Sequence, residues 1–166
     1  MKNKNVKIFI LLVVVVLLAG CKNKYGIDTS NYSTKNLEYT KCIRKTVTDN
    51  NEKVKINYKL YSDSKGYLRV LISTEEVTSS DDDILDEYEK AYKKIYKPYK
   101  NLKYYEHSLL REGNKLTSKA YINYGKVDMK KVYEIEGTEN NVKLTNGRIK
   151  LKDWKKFAKK YGAMCN

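Results

Sequence analysis

Histidine is nearly absent from this 166-residue chain, which contains a single one, His107. That count excludes metal sites built from several histidines, and a serine or cysteine nucleophile activated by histidine would have to use this one residue. No Gly-x-Ser-x-Gly sequence surrounds any serine, and the 8 glycines are dispersed, so no glycine-rich phosphate-binding loop is present. We therefore predict a non-enzymatic protein without a cofactor, in which His107 is a packed or surface residue of a strand.

Carboxylates are the remaining candidates for catalysis or metal binding. A pair of carboxylates could hydrolyse sugars, but nothing singles out a pair among the 20 acidic residues. The run 81–83 with Asp86 consists of possible calcium ligands, yet it lacks the loop spacing and the glycine of a calcium site. Capping of a helix explains this run better, because acidic side chains stabilise the positive end of the helix dipole. A carboxylate-based cell-wall hydrolase stays an alternative with no residues assigned to it.

The charge balance is strongly basic, with 34 Lys and Arg against 20 Asp and Glu and a formal charge of +14. A positive surface attracts anionic lipid head groups, wall polymers or nucleic acid. The basic residues are scattered along the chain and do not form one block, so a merely solvated surface is the alternative reading.

The first 20 residues have the three parts of a secretory signal. Residues 1–7 carry three lysines, residues 8–18 are all apolar, and the small residues Ala19 and Gly20 precede Cys21. The apolar run of 11 residues is short for a membrane span, which needs about 20. We therefore predict that residues 1–20 are a signal peptide.

The tetrapeptide Leu18-Ala19-Gly20-Cys21 resembles the lipobox of bacterial lipoproteins. In those proteins the cysteine thiol receives a diacylglycerol and becomes the new N-terminus after cleavage. The resemblance implies that Cys21 anchors the mature protein at the extracytoplasmic face of the cell membrane, because two acyl chains suffice for stable anchoring. An ordinary secretory signal or an uncleaved anchor is the alternative.

The mature chain divides into a short polar segment and one domain. Residues 21–36 are the lipidated cysteine followed by a polar stretch without an apolar period, which predicts a flexible tether. Residues 37–166 have the length of one ordinary domain. Removal of the leader leaves 31 basic and 20 acidic residues, a charge of +11.

Two cysteines remain after Cys21 is assigned to the lipid. Cys42 and Cys165 form an even pair in a compartment that permits oxidation, so we predict a disulfide between the two ends of the domain. Two free thiols are the alternative. Without a cluster of further ligands the pair would make a poor zinc site.

Alternation of polar and apolar residues predicts about five strands. The pattern has a period of two, as in an antiparallel sheet with one buried face, and the short turns between segments indicate a meander and a separate hairpin. The segments of the meander are 37–48, 53–60 and 68–72, and the arms of the hairpin are 103–111 and 115–124.

Spacings of three and four predict the helices. An amphipathic helix is expected over about 81–97, with Ser80 beginning a capping box, Asp86–Lys90 and Glu89–Lys93 as ion pairs, and Pro98 ending it. A final helix is expected over 153–161, with Trp154, Phe157 and Ala158 facing inward and Gly162 as its C-terminal cap. Residues 127–133 are ambiguous, and a short helix that begins at Asp128 is one interpretation. A sheet with segregated helices, one long and one short, is an α+β fold.

The order of these segments resembles the YehR-like family of small bacterial lipoproteins, whose function is undefined. The resemblance rests on the lipobox, on Tyr39-Thr40-Lys41-Cys42 in the first strand, on the charged amphipathic helix, and on the closing segment from Arg148 to Cys165. It spans most of residues 37–166 and brings no catalytic residues.

We therefore expect a membrane-anchored lipoprotein with a non-catalytic binding or interaction domain. Its partners would be the membrane, reached through the N-terminal lipid, and an anionic lipid, a wall polymer or an envelope protein. The exported location disfavours nucleic acid. An envelope assembly or structural factor is the alternative function.

Overall fold

The computed structural model describes residue 27 and residues 32–48, 52–137 and 142–166. Three helices and eight strands are present in these ranges. In chain order they are β1 (Glu38–Val47), β2 (Lys53–Ser62), β3 (Leu68–Thr78), α1 (Asp82–Tyr96), a 3₁₀ turn (Lys97–Tyr99), β4 (Tyr105–Glu112), β5 (Lys115–Ile122), α2 (Met129–Glu136), β6 (Leu144–Thr145), β7 (Arg148–Ile149), α3 (Leu151–Lys160) and β8 (Met164–Cys165).

Six strands form one antiparallel sheet in the order β4-β5-β3-β2-β1-β8, and β6 pairs with β7 as a separate hairpin. This arrangement confirms the predicted α+β class with a long helix and a shorter C-terminal helix. The sixth strand of the sheet, β8, was not expected, because two residues are too few to show a period of two.

Buried side chains lie on both sides of the sheet, whereas the period of two predicted a sheet with one buried face. Cys42, Leu60 and Leu71 point to the side that carries the helices and belong to the main core. Val70, Ile72 and Tyr121 point to the opposite side. We call the first side the helix face and the second the outer face.

Helix α1 packs on the helix face through Leu85 and Tyr92, which contact Val77 of β3 and Leu116 of β5. The rest of the predicted apolar stripe is not all buried, since Ile95 is exposed on the far side of the helix.

The start of α1 differs from the prediction. Asp81, rather than Ser80, is the N-cap, and its carboxylate accepts the backbone N–H of Asp83 at 2.9 Å. Asp86 bonds to Arg111 of β4 instead of Lys90, because the forked guanidinium of Arg111 reaches both Asp82 and Asp86 from the neighbouring strand. The predicted Glu89–Lys93 ion pair is present.

The C-terminal helix α3 ends in a Schellman motif. Gly162 has a φ of +82°, and the N–H groups of Gly162 and Ala163 donate to the carbonyls of Lys159 and Ala158. Trp154 and Ala158 are buried in the main core, so the inward face predicted for this helix is correct. The reversal after Ala163 brings β8 alongside β1.

The segment before β1 contacts the outer face wherever it is described. Ile27 packs with Val70 and Ile72, and its carbonyl accepts a hydrogen bond from Lys119 Nζ at 3.1 Å. The Tyr32 ring stacks on Tyr121 with 3.5 Å between ring centroids. The predicted signal peptide, the lipobox with Cys21, and the other positions of the tether before residue 32 lie outside the described residues. No helix in the described part of the chain is long and apolar enough to cross a membrane.

Candidate functional site

The structure brings one predicted pair of site residues together. Cys42 and Cys165 are directly opposite each other on β1 and β8 and form a disulfide. Cys42 is fully buried, so the bond joins the β8 edge of the sheet to the main core. Leu18, Ala19, Gly20 and Cys21 lie outside the described residues.

A groove lies at the opposite edge of the sheet, between strand β4 and the C-terminal half of α1. Its volume is about 750 Å³, within the range of small-molecule sites. Four groups line it: aromatic rings, lysines of α1 and its 3₁₀ extension, side chains from both faces of β4, and Ile27. The residues are Ile27, Lys93, Tyr96, Lys97, Tyr99, Lys100, Tyr105, Glu106, His107, Ser108 and Leu109.

Stacked rings form one wall of this groove. Tyr96 of α1 lies over His107 with 3.7 Å between centroids, and Tyr99 lies over Tyr105 with 4.6 Å. Tyr96 and Tyr99 are three residues apart, so they lie on the same side of the helical turn. Tyr105 and His107 are alternate residues of β4, so they lie on the same side of that strand, and each tyrosine of the helix stacks on one of them. Such a wall offers flat, polarisable contact area to a ligand.

His107 is held in its neutral form. Burial lowers its pKa from 6.5 to about 4. Its Nε2 atom is 3.0 Å from Ser118 Oγ on the adjacent strand β5. Ser118 is only 2% exposed and is absent from the groove lining, so a substrate has no access to its hydroxyl. This His–Ser contact joins the neighbouring strands β4 and β5.

The rim of the groove is positively charged. Lys93, Lys97 and Lys100 line it, and Glu106 is the one acidic residue among the described lining. Lys93 is paired with Glu89, whereas no ion pair within the described ranges involves Lys97 or Lys100. Two uncompensated ammonium groups favour an anionic ligand.

Hydrolysis by paired carboxylates needs two carboxylates across one bond, and Glu106 is the one carboxylate among the described groove residues. The described residues also contain no group of three or more His, Cys, Asp or Glu side chains placed to hold a metal ion.

The sequence did not indicate the groove, although it contained one signal for it. Lys93, Lys97 and Lys100 follow each other at spacings of four and three, which puts them on one stripe of a helical turn. Lysines near the C-terminal end of a helix are also favourable to the helix dipole, which explains them without a ligand. Their place in the groove depends on β4 lying beside the same stripe. That is a tertiary contact, which no local sequence pattern predicts.

The fold and the groove define a small α+β protein built on a six-stranded antiparallel sheet. A solved structure with a similar fold is the NMR structure of the E. coli YehR protein, with a TM-score of 0.54, 18% identity, and coverage of 78% of this chain and 90% of that one. The NMR structure of a protein from Streptococcus pneumoniae TIGR4 also matches, with a TM-score of 0.48, 14% identity, and coverage of 87% and 94%. The YehR likeness supports a YehR-like fold.

Searches against models of protein families and against curated proteins gave no match for this chain.

Proposed function

We propose that this protein is a lipid-anchored binding protein on the extracytoplasmic face of the cell membrane, and that its groove binds an organic anion with a flat apolar part. The lipobox at residues 18–21 supports the anchor. The pairing of Lys97 and Lys100 with an aromatic wall supports the class of ligand. The described groove residues include only one carboxylate, Glu106, so hydrolysis by a carboxylate pair is not part of the proposal.

The observation that carries the ligand class is the combination of two free ammonium groups with stacked rings. Lys97 and Lys100 would contact the anionic group, and the exposed edges of Tyr96 and His107 would contact the flat part. Because His107 is neutral at pH 7, it adds no charge of its own. Its ring would therefore contribute contact area and hydrogen bonding alone.

The anchor is tested by the Cys21→Ser variant in cells supplied with a labelled fatty acid. The wild-type chain should take up the label and sediment with membranes, and the variant should do neither, because the thioether cannot form. The Cys42→Ser variant is the matched control and should still be labelled. Equal labelling of Cys21→Ser and wild type would refute the anchor.

The groove is tested with naphthalene-1,5-disulfonate, a flat dianion, titrated by calorimetry into the lipoprotein held in phosphatidylcholine nanodiscs, with empty nanodiscs as reference. The double variant K97Q/K100Q should bind about two- to thirtyfold more weakly than wild type, since exposed charge contacts contribute about 0.2–1 kcal/mol each. The control K90Q/K94Q removes two exposed lysines of α1 outside the groove.

Wild-type binding should also weaken as salt is added, because screening acts on exposed charges. Identical affinities for wild type, K97Q/K100Q and K90Q/K94Q would show that the groove lysines do not recognise the anion.

A further inference from the structure

The outer face of the sheet carries a concentration of lysines on β1 and β2. Its outward side chains alternate with the buried ones of the same strands. We call the following set the lysine face: Lys41, Ile43, Lys45 and Val47 of β1, and Lys53, Lys55, Asn57 and Lys59 of β2.

The strand register sets these charges against each other. Lys41 is directly opposite Lys59, and Lys45 is directly opposite Lys55. Like charges in directly opposed positions destabilise a sheet. Of these lysines only Lys55 has an ion pair within the described residues, with Glu76 at 3.8 Å. The ammonium groups of this face therefore repel one another, and bound anions would reduce that repulsion.

Exposed apolar side chains accompany the lysines. Val47 is 64% exposed and Met164 of β8, opposite Ile43, is 76% exposed. Tyr39, on the same side of β1 but near its other end, is 52% exposed. Of the six large apolar side chains that are exposed in the described part of the chain, these three share one face. A soluble polyanion would use the lysines alone, whereas the boundary of an anionic bilayer takes up both kinds of side chain.

Ile27, the described residue nearest to Cys21 in the sequence, lies on the same side of the sheet. Ile27 is buried on the outer face against Val70, Ile72 and Tyr121. Cys21 precedes Ile27 by six residues in the sequence, a stretch that spans at most about 20 Å when fully extended. A lipid on Cys21 would thus keep the outer face within that distance of the head groups.

We propose that the lysine face docks on the anionic surface of the membrane that holds the anchor, with the helices turned away from the bilayer. This inference rests on the proposed lipid at Cys21. The lysines contact lipid phosphates, and Tyr39, Val47 and Met164 enter the boundary between head groups and acyl chains.

Lysine acetylation on vesicles tests the orientation. The mature lipoprotein is reconstituted into vesicles of phosphatidylcholine, or of phosphatidylcholine with one-third phosphatidylglycerol. It is then treated with an N-hydroxysuccinimide ester of acetate and analysed by peptide mass spectrometry. Lys41, Lys45, Lys53 and Lys59 should react about fivefold more slowly on the anionic vesicles. Lys90 and Lys94, exposed on α1 at the other side of the sheet, should react equally on both.

A variant separates the lysine face from other lipid contacts. K41Q/K45Q/K55Q/K59Q should abolish the protection of Lys53 on anionic vesicles, and K90Q/K94Q should preserve it. Equal acetylation of the wild-type lysine face on both vesicle types would overturn the docking while leaving the anchor intact. A different result would be protection of the lysine face on phosphatidylcholine vesicles only when polyglycerol phosphate is added. That result would also overturn docking on the membrane and would indicate a polymer site. A protein that fails to co-float with phosphatidylcholine vesicles lacks the anchor, which would refute both proposals.

Discussion

Two partly buried ionisable residues have pKa values displaced in opposite directions. Burial lowers the pKa of His107 to about 4 and raises the pKa of Glu136 to about 7, while a hydrogen bond from Tyr99 opposes the rise at Glu136. Because the unfolded histidine binds a proton more readily, His107 makes the fold less stable as pH falls from 6.5 to 4. Because the folded carboxyl group binds a proton more readily, Glu136 makes the fold less stable as pH rises from 4.5 to 7.

Substitution of Glu136 should therefore change the pH dependence of stability. Glu136→Gln should raise the free energy of unfolding at pH 8 by about 1–2 kcal/mol, because it removes a charge from a partly buried site where solvent screening reduces the full effect. At pH 4 the wild-type carboxyl group is protonated, so the two proteins should be equally stable. Urea denaturation at the two pH values measures this difference.

Glu134→Gln is the matched control, since Glu134 is exposed on the same helix α2. It should change stability little at either pH. A gain for Glu136→Gln of the same size at pH 4 and pH 8 would contradict the assignment to the charge of Glu136.

The role of a single residue was predictable where it depends on neighbours in the sequence, and not where it depends on distant residues. Gly162 was predicted as a helix cap because its role depends on the residues just before it. Arg111 was not predicted to bridge Asp82 and Asp86, because these residues are 29 and 25 positions away from it. The stacking of Tyr96 on His107 was missed for the same reason.

At the scale of elements, length and periodicity decided what could be predicted. Helix α1 showed its period over four turns and was predicted within a residue or two. Helix α2, with eight residues, left only Asp128 as a starting signal, and the structure confirms Asp128 as its N-cap. Strand β8 has no pattern of its own and exists because α3 ends in a sharp reversal beside β1.

That reversal gives a test at Gly162. Gly162→Ala should lower the free energy of unfolding by about 1–2 kcal/mol, because a φ of +82° crowds a Cβ atom against the backbone. Gly162→Asn is the control and should cost less, since asparagine tolerates this conformation better. Chemical denaturation compares the three proteins. Equal losses for alanine and asparagine would show that packing at this position, and not its backbone conformation, sets the cost.

For the whole molecule, the α+β class was predictable because alternation and helical periods are local, and the segments bearing them are long. The lysine face was not predicted as a surface. The sequence shows alternating lysines in both β1 and β2, but their concentration depends on the register that places Lys41 beside Lys59. The groove likewise depends on two elements that meet only in the folded chain.

The disulfide acts at the scale of the whole molecule, because it closes a loop with a sequence separation of 123 residues. The chain-entropy argument predicts that C42S/C165S lowers the free energy of unfolding by up to about 4–5 kcal/mol. Urea denaturation of the wild type with and without a phosphine reductant should show the same loss. The double variant should be insensitive to the reductant. Unchanged wild-type stability after complete reduction would contradict a stabilising role for the bond.

The position of β8 at the sheet edge has a consequence for the time course of synthesis. Cys42 emerges 123 residues before its partner, so β1 has no neighbour on that side while the helices and the rest of the sheet are being made. During this interval the Cys42 thiol has no native partner and can react with other thiols or with an oxidant. A chain that ends before Cys165 would keep a free thiol at Cys42 and an unpaired edge on β1. Labelling of Cys42 by a thiol reagent would therefore identify incomplete molecules.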